Sequence, residues 1–288
     1  MLFKKIKHNN GKREIYLGKK KIFSIYQSNQ IYRVFRKNIV RIKHSKPIKN
    51  SKSRVWFPAN FYGGGELKAY KSSFYAFHFL LNRAHIAYKY HKIFYDFYLR
   101  SQRGEKLLFI DGGCHNGVFS DVALACGGTC YAFEPNIYLC AFLQNLYKDN
   151  PHFILRSQAI SNKNQKTIFY NTTDDAISQM GSIVEFDTSS KYAEVQGYPG
   201  YEVQMIDFCE FLRMILDKHG KIHFIKLDIE GAEFDVLDAL IEQNLHKNVE
   251  YIMVETHERF FKNPQKKLEN LHAKIAKKNI SNIYLDWI

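Results

Sequence analysis

Phe109-Ile110-Asp111-Gly112-Gly113-Cys114-His115-Asn116-Gly117-Val118-Phe119-Ser120 is the stretch that decides the fold. A short apolar run ends in an acid, passes through glycines and enters an amphipathic segment, which is the strand, glycine turn and helix that open a βαβ unit. Outward from it the same alternation continues. Leu107 to Ile110 reads as a strand, Phe119 to Ala125 as a helix, Thr129 to Phe133 as a strand, Tyr138 to Tyr147 as a helix and Phe153 to Ile160 as a strand. After a strand at Thr167 to Tyr170 and a polar loop from Thr172 to Pro199 come strand Tyr201 to Ile206, helix Phe208 to Leu216, strand Ile222 to Ile229, helix Ala232 to Ile241 and strand Tyr251 to Glu255. A last helix, Gln265 to Lys278, leads into Ile280 to Trp287. Strands alternating with helices of this length predict an α/β fold with a doubly wound, mostly parallel sheet.

The segment upstream of residue 105 has a different character. Residues 1–54 hold 17 Lys or Arg and one acid, Glu14, so this arm carries +16 of a total of +14, and the other 234 residues carry −2. Its short apolar runs between cations predict a small strand-rich, basic unit. Residues 55–104 are a linker and an aromatic helical segment running from Ser72 to Leu99, and residues 105–288 are the α/β domain. With 45% hydrophobic residues and no apolar run of membrane-spanning length, the chain reads as globular and cytoplasmic. Five cysteines without a C-x-x-C pair read as buried thiols in a reducing compartment.

In a doubly wound sheet the ligand lies beyond the carboxyl ends of the strands, at the point where strand order reverses. Those ends are rich in charge here: Asp111, Glu134, Lys226 with Asp228 and Glu230, and Glu255-Thr256-His257. Converging carboxylates repel unless a ligand or partner relieves them, which favours a cationic or polyhydroxylated ligand. An acid 21 positions after Gly113, Glu134, is placed to accept hydrogen bonds from ribose hydroxyls. Asp111 at the mouth of the turn would repel the pyrophosphate of a dinucleotide, and no P-loop sequence is present. S-adenosylmethionine, with a sulfonium, an ammonium and no phosphate, fits this pattern.

The opening stretch, together with Phe133-Glu134-Pro135-Asn136, Lys226-Leu227-Asp228-Ile229-Glu230-Gly231-Ala232-Glu233 and Glu255-Thr256-His257, resembles the FkbM-type methyltransferase family over about residues 105 to 260. The resemblance implies a class I, Rossmann-like enzyme that uses S-adenosylmethionine, most often for O-methylation of sugars, polysaccharides and natural products. It implies that Asp111, Gly113, His115, Asn116, Gly117 and Ser120 form the cofactor turn, that Glu134 and Pro135 meet the ribose, and that Gln158, Ala159 and Ile160 line the adenine. The first motif departs from the family's usual D-[VI]-G-A-N-x-G in having Gly112 and His115.

Methyl transfer to a hydroxyl requires alignment of the acceptor and removal of its proton. Asp228, Glu230 and His257 are the catalytic candidates, with His257 as base, a carboxylate orienting the acceptor, and Lys226 balancing the charge. His257 is flanked by Thr256, Glu258 and Arg259, which predicts an exposed loop. A divalent metal on Asp228, Glu230 and His257 is an alternative whose spacing matches no metal signature, so no metal is expected. The expected acceptor is a sugar or glycan, bound by the loop from Thr172 to Pro199 and the aromatic helix. An RNA acceptor clamped by the basic arm is the competing reading, opposed by the lack of the [ND]-P-P-[YF] signature of amino-methylating enzymes; the arm suits an anionic membrane surface as well.

Overall fold

Capping and burial show why the helices form where they do. In the helix Phe208–His219, the Asp207 side chain accepts from the backbone N–H groups of Cys209 and Glu210, and Gly220, at φ 78°, ends it. Between those caps Phe208, Phe211, Leu212 and Ile215 recur on one face and are buried. Asn136 caps Ile137–Leu146 in the same manner, through the N–H groups of Tyr138 and Leu139. The computed structural model describes residues 3–7, 13–17, 20–25, 32–34, 84–170, 181–184 and 200–287.

The chain divides into two compact units, Met1–Ser45 and Lys46–Ile288. In the first, strands β1 (Phe3–Lys7), β2 (Arg13–Leu17), β3 (Lys20–Ile25) and β4 (Tyr32–Val34) form an antiparallel sheet in sequence order. Much of the sequence between residues 26 and 83 lies outside the described residues, including the start of the aromatic segment at Ser72.

The second unit contains helix α1 (Ala84–Gln102), then β5 (Leu108–Gly112), α2 (Val118–Ala125), β6 (Thr129–Phe133), α3 (Ile137–Leu146) and β7 (Phe153–Arg156). There follow β8 (Ala159–Ser161), β9 (Gln165–Phe169), β10 (Tyr201–Asp207), α4 (Phe208–His219), β11 (Ile222–Leu227), α5 (Glu233–Glu242), β12 (Val249–Val254), α6 (Pro264–Lys277) and β13 (Ile283–Tyr284). Six strands form the central sheet in the order β13-β12-β11-β5-β6-β7, all parallel. The doubly wound, Rossmann-like α/β class expected from the sequence is the one observed. Among the described residues no helix is long and apolar enough to cross a membrane.

Two segments differ from the sequence reading. The run Phe153 to Ile160 is not one strand: it breaks after Arg156, and β8 joins β9 and β10 in a separate three-stranded sheet, order β8-β10-β9. Strand β11 ends at Leu227, so Asp228 and Glu230 lie in the loop beyond it.

Both faces of the central sheet are covered. One core gathers α4 and α5 over residues such as Ile110, Ile225 and Val254. In the other, Tyr90, Phe94 and Phe97 of α1, spaced along one helix face, pack on Phe109, Phe224 and Trp287. Arg100 fastens the end of α1 by hydrogen bonds to Glu105 and, at 2.7 Å, to Glu250. All five cysteines are buried, and burial pushes their thiols up.

Candidate active site

Strands β5 and β11 are neighbours, and the chain leaves them in opposite directions, through β6 and β7 on one side and β12 and β13 on the other. Their carboxyl ends are therefore the topological switch point. The loops that follow touch: the Asp228 N–H donates to Gly112 O at 3.1 Å, and a Cβ on Gly113 would lie 1.8 Å from the Asp228 carbonyl oxygen. Gly113 also has φ 70°, so close approach and backbone conformation both require glycine there. Gly112 has a separate reason. A Cβ at that position would meet Ile160 Cδ1 at 2.9 Å and Leu227 Cδ2 at 3.0 Å, so Ile160 fills the volume that a branched residue would take.

Beneath the turn, Asp111 is fully buried. Its Oδ2 accepts from Ser120 Oγ at 2.6 Å, and its Oδ1 lies 3.4 Å from Lys226 Nζ. Burial raises the Asp111 pKa, opposed by the Lys226 charge and the Ser120 hydroxyl. Lys226 donates to Gly113 O at 2.7 Å and Gly112 O at 3.2 Å, and lies 3.3 Å from Asp228 Oδ2. Burial alone would lower the Lys226 ammonium; Asp228 and Asp111 outweigh it and hold it above its ordinary value. This lysine joins the ends of the two strands.

Glu134 braces the turn from β6. Its Oε2 accepts the His115 N–H at 2.7 Å, where His115 has φ 47°, and its Oε1 accepts the Asn136 N–H at 2.9 Å. Burial pushes its carboxyl up to about 7 against those two donors. Gly117, at φ 83°, leaves room for Tyr147, whose hydroxyl donates to Asp121 at 2.8 Å.

A second cluster lies beyond β11 and β12. Glu233, the fully buried first residue of α5, accepts the N–H groups of Ile229 at 2.8 Å and Gly231 at 2.9 Å, and so closes the loop from Asp228. The same carboxylate accepts from His257 Nδ1 at 2.8 Å. Nε2 of that ring faces Glu230 Oε2 at 3.3 Å, Asp228 Oδ1 at 3.8 Å and Glu255 Oε1 at 3.9 Å. His257 is 1% exposed, so the exposed loop expected from its neighbours is a buried position. Burial would lower its pKa, but Glu230 and Glu233 outweigh that and push it up to about 11. Burial raises Glu230 in turn, with His257 opposing. Glu230 itself has φ 52°, a strained conformation held from outside its own loop: Ser182 Oγ donates to its carbonyl at 2.6 Å.

The structure thus separates the predicted site residues into two levels. Gly113, His115, Asn116, Pro135, Gln158, Asp228 and Glu230 are half-buried at the strand ends. Asp111, Ser120, Ala159 and Ile160 lie beneath them with Gly117, and Lys226, Glu134 and His257 are nearly closed off. Sequence assigns Glu255 only a place among the strand-end charges and Glu233 no role at the site, although an acid opening the helix after Gly231 is a signal for a carboxylate on helix N–H groups. Of the loop from Thr172 to Pro199, only 181–184 is described; it lies against the Glu230 turn, with Val184 Cγ2 at 3.4 Å from where a Gly231 Cβ would stand.

Chemically the arrangement offers a glycine-lined backbone turn, a braced acid at the second strand, and a carboxylate and imidazole group beside it. No curated protein and no solved structure matches the chain. The family model of the methyltransferase FkbM domain matches residues 111–278, from the buried aspartate through the last helix and more than half of the sequence, and the chain therefore belongs to the FkbM methyltransferase family.

Proposed function

We propose that this methyltransferase binds S-adenosylmethionine over the crevice between β5 and β11 and methylates a hydroxyl of a sugar or glycan. The reading rests on the carboxylate-rich strand ends: Glu134 braces the turn that leaves no room for a Cβ at Gly113, and Asp228, whose carbonyl meets Gly113, faces His257 together with Glu230 and Glu255. Such a surface attracts a sulfonium and an ammonium and repels pyrophosphate. Each oxygen of Glu134 holds one backbone N–H and keeps a second lone pair for a ribose hydroxyl. His115, Asn116, Pro135 and Gln158 are the half-buried residues beyond β5, β6 and β7 that would meet the cofactor, while Asp111 and Ser120 act from below by fixing Lys226.

S-adenosylmethionine, when bound, supplies the electrophilic methyl group. The chain's work is to align the acceptor and remove its proton. Asp228, the more exposed carboxylate, orients the acceptor hydroxyl, and Glu230, whose burial raises its proton affinity, receives the proton. With its ring fixed by Glu233 and its Nε2 facing three carboxylates, His257 positions carboxylates instead of serving as base. The +16 arm of residues 1–54 serves to bring the enzyme to an anionic membrane surface, where lipid-linked glycans are found.

The test is methyl-labelled S-adenosylmethionine supplied with panels of sugar nucleotides, cell-envelope glycans and RNA, followed by mass spectrometry. A methyl ether on a sugar is the expected product. Label on RNA bases alone would replace the acceptor assignment.

A further inference from the structure

We infer that Asp228, Glu255 and His257 bind a divalent cation, manganese in preference to magnesium, at the carboxyl ends of β11 and β12. Each of the three offers one ligand atom, and these atoms all lie within 4.8 Å of one another. Two donors about 2.1 Å from one cation stand at most about 4.2 Å apart. The separations of 3.8 Å from Nε2 to Asp228 Oδ1 and 3.9 Å to Glu255 Oε1 fall inside that limit.

The imidazole gives an independent reason. His257 is 1% exposed, and its Nε2 has no hydrogen-bond partner although it faces three carboxylates. Its other nitrogen donates to Glu233, which fixes the ring and, in the neutral imidazole, leaves the Nε2 lone pair directed at the cluster. A carboxylate behind a histidine in front of a metal is the usual supporting arrangement for such ligands. Asp228 is divided in the same sense: Oδ2 lies toward Lys226 and Oδ1 toward His257. Glu230 Oε2, likewise without a hydrogen-bond partner, stands 3.3 Å from Nε2. A dication in place of a proton on Nε2 brings one more positive charge to the carboxylates that face it.

Two carboxylates and one imidazole suit manganese, since magnesium takes oxygen ligands almost exclusively. The ion's role rests on the function proposed above: it would hold the acceptor oxygen and leave Glu230 to receive the proton. Its binding does not depend on that function.

The experiment uses full-length protein stripped with chelator and titrated with manganese chloride, with free aquo-manganese followed by electron paramagnetic resonance. S-adenosylmethionine binding is measured on the same samples by calorimetry. About one manganese per chain should be bound by the wild type, with affinity reduced at least about tenfold in Glu255→Gln and in Asp228→Asn, both checked for folding by circular dichroism. Wild-type protein that leaves manganese free at millimolar concentration, or folded variants that bind it as tightly as wild type, would overturn the assignment. Manganese binding without S-adenosylmethionine binding would keep the metal site and remove the proposed function; the reverse result would do the opposite.

Discussion

Glu233 Oε1 and His257 Nδ1 lie 2.8 Å apart in the core, and that carboxylate is also the acceptor for the N–H groups of Ile229 and Gly231. One buried acid therefore sets the path of the loop bearing Asp228 and Glu230 and the orientation of the imidazole they face. Glu233→Gln leaves an amide NH2 where a carboxylate oxygen accepted. It is expected to cost about 1–3 kcal/mol and to lower the methyl-transfer rate while S-adenosylmethionine affinity stays near wild type. Denaturant unfolding and single-turnover rates check the two halves.

Lys226 is the counter-charge to a fully buried Asp111. Lys226→Met removes it and is expected to destabilise the fold by about 3–5 kcal/mol, because the remaining carboxylate is uncompensated. Adding Asp111→Asn to that variant should recover much of the loss, since neither charge is then buried alone. Urea unfolding of the two single variants and the double variant measures the coupling.

Phe97 shows how firmly α1 belongs to the second unit. Its ring is fully buried, 5.2 Å from Phe109 and 5.8 Å from Tyr251 between centroids. Phe97→Ala is expected to cost about 3–5 kcal/mol in equilibrium unfolding, a loss typical of a large ring removed from a packed interior.

Glu134 carries a pH signature. Its carboxyl is raised to about 7 from an ordinary value of 4.5, so the folded state holds a proton that the unfolded chain releases sooner. The resulting stabilisation is fully present below about pH 4.5 and is lost as pH rises through about 7. Glu134→Gln removes this dependence, and the difference between the two stability profiles should span on the order of 3 kcal/mol over that interval. Thermal unfolding at a series of pH values measures it.

Much of this architecture was legible in the order of residues, and the gaps have physical causes. Thr129–Phe133 is bounded by glycines and by Glu134-Pro135, so its limits were readable locally. The break after Arg156 was not, because β8 pairs with β10, whose residues come some forty positions later. At the site, the acids at the strand ends were visible as charges where apolar residues belong. The burial of His257 was hidden, since its sequence neighbours are polar and its partner Glu233 arrives through the fold. Gly112 is explained only when Ile160 is seen to occupy the space beside it.

A cationic nucleoside cofactor is expected to bind where β5 and β11 part, and Gly113 is the residue at which this is best examined. Calorimetric titration of S-adenosylmethionine into the full-length protein should give one site per chain. Gly113→Ala, whose new Cβ would stand 1.8 Å from the Asp228 carbonyl, should abolish that heat in protein still folded by circular dichroism. No binding by the wild type, or wild-type binding by folded Gly113→Ala, would contradict the account.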